Sequence, residues 1–478
     1  MAHTGSRRSP MRPTALTKKT KRLGAAKQVH SVQETAIMDD TNLTGQLFKG
    51  FIFTNIFKTF RFAIQPGKML IALMAIAVMV FCGILMDLSA TVVMAPGARP
   101  DDVSEAPGKG LFVAIPPTEL HASLSGHEAW LEFTTAYEDL GRQIGVFTAL
   151  RHFCAARFNS FALELASGNV GHASAHLGMI AQAVWWAARY HTLYTVAYCA
   201  VSLFVMAIAG GAICRSAALQ FARDERPGLL ESLRFSVCRT ASFVSAPLWA
   251  AGIALLAGVA ILLLSLLGNI PFGVGPVAVG VLSPLIIFLG FIVALFLIGL
   301  IAGGSLMFPA VAYEGSDGMD AMGRAFGYIY TRPWRAAFYA AVAMLYGTAC
   351  YLFVRVFILI VLLAARAFTA AAIFTGDSHA RTLEGSRLNM IDAIWPVPTF
   401  GTMLGPWPNT MAATEWVGAV LVRIPLVVIA AMLPAFLVSF FFSASTIAYA
   451  MMRKHVDGED FDRIFTQADV SEPEPDHK

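Results

Sequence analysis

Two arginines stand inside long apolar runs: Arg355 in "YLFVRVFILI" and Arg423 in "AVLVRIPLV". A guanidinium at membrane depth is costly and so marks either function or a structural contract. Neither run contains an Asp or Glu to neutralise its arginine. Asp87, which closes an earlier apolar run, is the nearest acidic candidate in depth. Arg355 precedes Arg366 by 11 residues, about 16 Å at helical rise. Two readings follow. Arg355 and Arg423 form one site for an anionic group, such as a lipid phosphate, at outer-leaflet depth. Alternatively, both side chains snorkel to the outer headgroups.

Other residue patterns offer less. His172 and His176 are spaced i,i+4 on an expected helix, near His121 and His127. Such a pair can share a metal, but no HExxH accompanies it, and a surface helix is the default reading. GxSxG and P-loop strings are absent, and no GxGxxG is followed by an acidic residue. The glycines of "NIPFGVGPVAVG" follow no strand and read as a tight hairpin. Six cysteines, at 82, 154, 199, 214, 238 and 350, show no CxxC spacing and read as packing residues. No catalytic residue, metal or cofactor is expected.

The elements that would position the arginines are set by composition. The chain is 56% hydrophobic and 14% charged, against about 25% charged in soluble domains. Its apolar residues gather into six blocks of bilayer-crossing length. They are Met69–Met86, Thr192–Cys214, Val244–Leu267, Val277–Leu300 (apolar on to Met307), Ala337–Ala365 and Val417–Ile447. Backbone satisfaction in lipid demands helices or closed barrels, and these blocks are too long for barrel strands. The expected fold class is all-α: a polytopic membrane helix bundle of about six transmembrane helices.

Lys and Arg placement sets the expected orientation. Twelve precede or include Lys68, five lie between the second and third blocks, three between the fourth and fifth, and four after the sixth. These are 24 of 35, all on one side, which places both termini in the cytoplasm of an inner-membrane protein. This asymmetry accounts for the net charge of +4 without a nucleic-acid partner.

Between the blocks, the organisation is as follows. Residues 1–45 read as a disordered basic tail, within which Met38 is an alternative start. "LFKGFIFTNIFKTFRFAI", 47–64, reads as an interfacial helix before the first span, so 46–86 form one unit. Residues 87–189 read as an outer-side helical hairpin without a sheet, its apolar stripe running from Phe133 to Leu165. Residues 190–307 hold spans two to four with an interfacial helix at 217–240. Residues 308–452 hold a third interfacial helix, span five, an outer loop rich in Pro and Trp, and span six; 453–478 form a second tail. Trp395, Trp407 and Trp416 suit the bilayer interface.

"IAGG" occurs at Ile208–Gly211 and Ile301–Gly304, each time followed by an acidic turn, a short Arg-bearing segment and an outward apolar block. Phe235 and Thr240 match Phe326 and Thr331 at one offset. These patterns predict parallel hairpin repeats, with the glycine pairs as close-packing corners. The segments "LLESLRFSVCRT" and "AMGRAFGYIYTRPWR" resemble uncharacterised bacterial multi-pass families, loosely grouped with Yip-domain proteins and with the membrane domain of some glycerophosphodiesterases. The soluble phosphodiesterase barrel is missing, so the resemblance implies a membrane bundle and no activity.

The functional expectation is a non-enzymatic integral membrane protein that organises membrane or scaffolds partners through its interfacial helices. The alternative is a transporter or lipid-handling permease using Arg355 and Arg423. Membrane lipids are the expected partners, with protein partners or a second copy of the chain left open.

Overall fold

The computed structural model describes residues 52–94, 104–105, 113–114, 120, 123–124, 128, 131–133, 135, 142–271, 274–372, 377–381, 387–405 and 411–465. The expected basic tail, Met38, Trp407 and the last 13 residues lie outside these. The chain divides into two units, Met1–Asn55 and Ile56–Lys478. Of the first unit, only the opening of a 3₁₀ segment, Ile52–Lys58, is described.

Among the described residues, six helices are long and apolar enough to cross a bilayer. Short helix α1, Thr59–Ala63, leads into α2, Pro66–Met86, whose Pro at the first turn suits a helix start. Then come α3, Val146–Ala166, and α4, Val170–Tyr190, as an antiparallel hairpin. Helix α5 spans Thr192–Arg223, α6 Leu229–Cys238 and α7 Thr240–Leu266. Helix α8 spans Val274–Glu314, α9 Gly318–Thr331 and α10 Pro333–Ala372. Short α11, Met390–Ile394, and the 44-residue α12, Ala413–Val456, complete the set. The all-α polytopic bundle is thus the architecture.

Three details correct the sequence reading. The insertion after α2 is not free of strands: β1, Thr91–Met94, pairs antiparallel with β4, Arg142–Gly145. Two smaller ladders pair β2, Ser104–Glu105, with β3, Val113–Ala114, and β5, Asp377–Arg381, with β6, Arg387–Asn389. Strand β4 interrupts the apolar stripe of the insertion: Phe133 is helical, Ile144 is buried in the strand, and the helix resumes at Val146. Second, the segment at 56–63 is built into the fold: Ile56, Phe62 and Ala63 are buried, and Ser439 of α12 donates to the Ala63 carbonyl at 2.8 Å. Third, α5 continues to Arg223, so the short helix that follows is only ten residues long.

The basic residues Arg215, Arg239, Arg324 and Arg453 mark one end of the bundle, called here the arginine-rich end. Packing there is dense. Lys68 is 2% exposed; its Nζ donates to Gln220 at 3.0 Å and lies 5.0 Å from the Phe62 ring centroid. Arg453, 3% exposed, pairs with Glu314 at 2.8 Å and with Glu459, and Tyr449 also donates to Glu314. After α12 the chain folds back: the Phe465 N–H donates to the Tyr313 carbonyl, and Arg215 donates to the carbonyls of Phe465 and Ala312. Gly315, at φ +63°, admits this return; a Cβ there would lie 2.6 Å from the Phe465 ring.

The glycine pairs differ. A Cβ on Gly210 would lie 2.3 Å from Phe442, and one on Gly211 2.4 Å from Ser236 Oγ. Gly304 has open space, while the close approach in that helix falls on Gly299, 2.6 Å from Phe326. Close packing therefore governs the first pair, and in α8 it moves one turn away from the second.

Candidate functional site

Arg355 sits mid-way along α10, 4% exposed. Its five N–H groups are all committed. Nε donates to the Phe400 carbonyl at 3.1 Å. One terminal nitrogen serves Asn159 Oδ1 and the Tyr351 hydroxyl, the latter at 2.7 Å. The other serves the carbonyls of Phe400 and Gly401. The guanidinium also lies 4.6 Å from the Phe400 ring centroid. Arg423 donates to the carbonyls of Leu404 and Gly405, both at 3.2 Å. The two arginines therefore meet on one stretch, Phe400–Gly405, and grip it by its backbone.

This arrangement has a physical cause. The loop after α11 is irregular, and its prolines prevent a helix from closing its hydrogen bonds. Its carbonyls need donors wherever it packs among spanning helices. Arginine's planar fork supplies several at once. Arg366 adds a third clamp, donating to Trp395 O at 2.9 Å and pairing with Asp392. Met403 of the loop shares a buried apolar cluster with Tyr351, Ile358, Leu426 and Leu433.

Asp87 is not the counter-ion of either arginine. Its carboxylate accepts the N–H groups of Phe147 (2.7 Å) and Thr148 (3.1 Å), the Thr148 hydroxyl (2.7 Å) and the Tyr194 hydroxyl (3.0 Å). It caps the start of α3, whose own N-cap, Gly145, has no side chain to do so. His172 lies 3.9 Å from Glu164, and His176 has a pKa lowered by burial and then by nearby Arg157. Among the described residues, no three His, Cys, Asp or Glu side chains gather as a metal site would require. Burial raises the Cys154 thiol to about 11, far from thiolate reactivity.

Below the Arg355 network lies a half-open apolar cleft of about 460 Å³, walled by α3, α8, α9, α10 and α12. Its shape follows from small residues at helical spacing. Ala336, Ala340, Ala343 and Gly347 line one wall on α10, and Ala444 and Ala448 line another on α12. Side chains this short leave a trough where larger ones would close the seam. Ala336 and Tyr351 mark its length along α10, 15 residues or about 22 Å. Phe158 and Phe161 of α3 contribute to its wall, and Phe158 packs edge-on against Tyr351 at 5.3 Å. Met344 and Phe441 line the cleft while 45% and 51% exposed, so it opens sideways out of the bundle.

No protein-family model, curated protein or solved structure matches this chain.

The cleft was not visible in the sequence. Small residues at i, i+4, i+7 and i+11 in an apolar block (Ala336, Ala340, Ala343, Gly347) read equally as a tight helix contact. Only the partner helices decide whether such a face is filled or left open.

Proposed function

We propose that this chain is a non-enzymatic membrane protein whose working surface is lipid, and that it holds an acyl chain in the cleft between α3, α8, α10 and α12. The observation that carries this reading is the cleft itself: apolar, laterally open and about 460 Å³. Its length of about 22 Å covers one leaflet of a hydrocarbon core about 30 Å thick and reaches somewhat beyond it. An apolar trough that opens toward lipid takes a lipid chain, because water there would lack hydrogen-bond partners.

Arg355 and Arg423 enter this reading as holders of the loop rather than as the lipid's anion site. Every Arg355 N–H already has a protein acceptor. In this reading the arginine-rich end faces the cytoplasm of the inner membrane, by the excess of basic residues there.

The experiment is lipid retention by the full chain in mild detergent, read by native mass spectrometry. Ala340 lines the cleft from an exposed position, so Ala340→Trp fills the trough without crowding the core. The variant is expected to lose bound lipid while keeping its thermal midpoint. Equal retention by both proteins counts against the proposal.

A further inference from the structure

A second pocket, polar and about 280 Å³, opens at the arginine-rich end between α5 and α6. Its lining includes Arg215 and Arg223 from α5, Glu225 from the connecting turn, and Glu231, Ser232 and Arg234 from α6. Arg215 belongs to the fold: it bonds the carbonyls of Ala312 and Phe465 and stacks 4.5 Å over the Phe235 ring. Arg223 and Arg234 are different. Both are exposed, and among the described residues neither makes a hydrogen bond or ion pair, although two carboxylates line the same pocket.

Ser232 supplies the independent sign of a ligand. It is 2% exposed, and its hydroxyl has no hydrogen-bond partner. A buried hydroxyl left unsatisfied costs about 1–3 kcal/mol, and Ser232 is one of the residues that line the pocket. Helix α6 also starts at Gly228 without a side-chain cap, leaving first-turn N–H groups open to an anion. Among the described residues, Arg223, Arg234, Glu225 and Glu231 make no hydrogen bond or ion pair, although both carboxylates act electrostatically on Arg215; two cations and two anions left this way around one cavity are complementary to a ligand carrying both signs. The other face of α6 shows where that ligand comes from. Leu230 and Val237, one heptad apart, are 79% and 58% exposed, as expected of a helix whose outer surface meets lipid.

We propose that the α5–α6 pocket binds the zwitterionic headgroup of an aminophospholipid. Arg223, Arg234 and Ser232 take the phosphate, and Glu225 and Glu231 take the ammonium group. This site is separate from the cleft, and its evidence does not depend on that reading.

The test uses the full chain in mild detergent with equimolar phosphatidylethanolamine and phosphatidylglycerol, read by native mass spectrometry. The unaltered chain is expected to prefer phosphatidylethanolamine. Arg223→Gln with Arg234→Gln should weaken its retention about tenfold, the equivalent of one charge-assisted bond. Glu225→Gln with Glu231→Gln should instead shift preference toward phosphatidylglycerol. The four side chains are exposed, and unchanged thermal midpoints verify that the variants fold. Ala340→Trp separates the two sites, since it fills the cleft and should leave the headgroup preference intact. Absence of any preference, or a preference unmoved by the arginine pair, would overturn the proposal. A soluble arm, sn-glycero-3-phosphoethanolamine, identifies the source. If it stabilises the chain at least as well as the diacyl lipid, the lipid assignment is wrong.

Discussion

Asp87 accepts the Phe147 N–H at 2.7 Å, so the residue that ends α2 also begins α3, 60 positions later. The approach of the two helix ends is tight: a Cβ on Gly145 would lie 1.9 Å from the Asp87 carboxyl carbon. Asp87→Ala removes four accepted hydrogen bonds, two of them from first-turn amides. It should destabilise the fold by about 1–3 kcal/mol. Asp87→Asn keeps a cap and should cost less. Thermal unfolding of both variants in detergent checks the order; an Asp87→Ala protein as stable as its parent would show that the cap contributes nothing.

Arg355 makes a sharper prediction. Arg355→Gln takes the donors from the Phe400 and Gly401 carbonyls and leaves the Tyr351–Asn159 pair bonded only to each other, and should cost about 2–4 kcal/mol. Arg355→Lys should not rescue it, because an ammonium lacks the planar fork. The affected segment is Phe400–Gly405, so limited proteolysis at that loop should accelerate in both variants. Rescue by Lys would show that charge alone matters there.

The glycines give a contrast that needs no functional assay. Gly210→Ala meets Phe442 at 2.3 Å and should be destabilising by about 1–3 kcal/mol. Gly304→Ala has open space and should be neutral or stabilising by up to about 1 kcal/mol through helix propensity. Paired melting curves decide this. Equal effects at the two sites would mean that the two corners pack alike.

His176 sets a pH dependence. Its folded pKa lies below the usual 6.5, because burial and then Arg157 disfavour the imidazolium. The unfolded chain therefore binds this proton first as pH falls. The contribution of His176 is complete above 6.5, declines as pH drops below that value, and levels off once the folded state is protonated too. His176→Gln should flatten that part of the stability profile. Thermal midpoints of both proteins across about pH 5 to 7.5 test the sign.

The six spanning helices were legible because apolar blocks of bilayer length leave the backbone few alternatives. Short-range features were harder. Strand β4 hid inside a stripe whose spacing fits a helix, since Arg142–Gly145 takes its conformation from its pairing with Thr91–Met94, some 50 residues away. Arg355 and Arg423 stood out as costly in apolar blocks, and sequence depth pointed to Asp87 as a partner. Their acceptors are backbone carbonyls, which carry no residue signature. Arg215, Arg223 and Arg234 read as topology signals by type and place. What separates them is pairing: Arg215 is committed within the fold and the other two are not.

The return of the chain at Phe465 bears on how the protein is made. Arg215 belongs to the second spanning helix, yet one of its acceptors is 250 residues further on. During synthesis that helix enters the membrane long before Phe465 exists, with part of a buried guanidinium still unanswered. The arginine-rich end therefore closes last, after all six helices are in place. Contacts formed by Ile464 and Phe465 act as a late lock on assembly. A chain cut just before them would be inserted but left unfastened at that end.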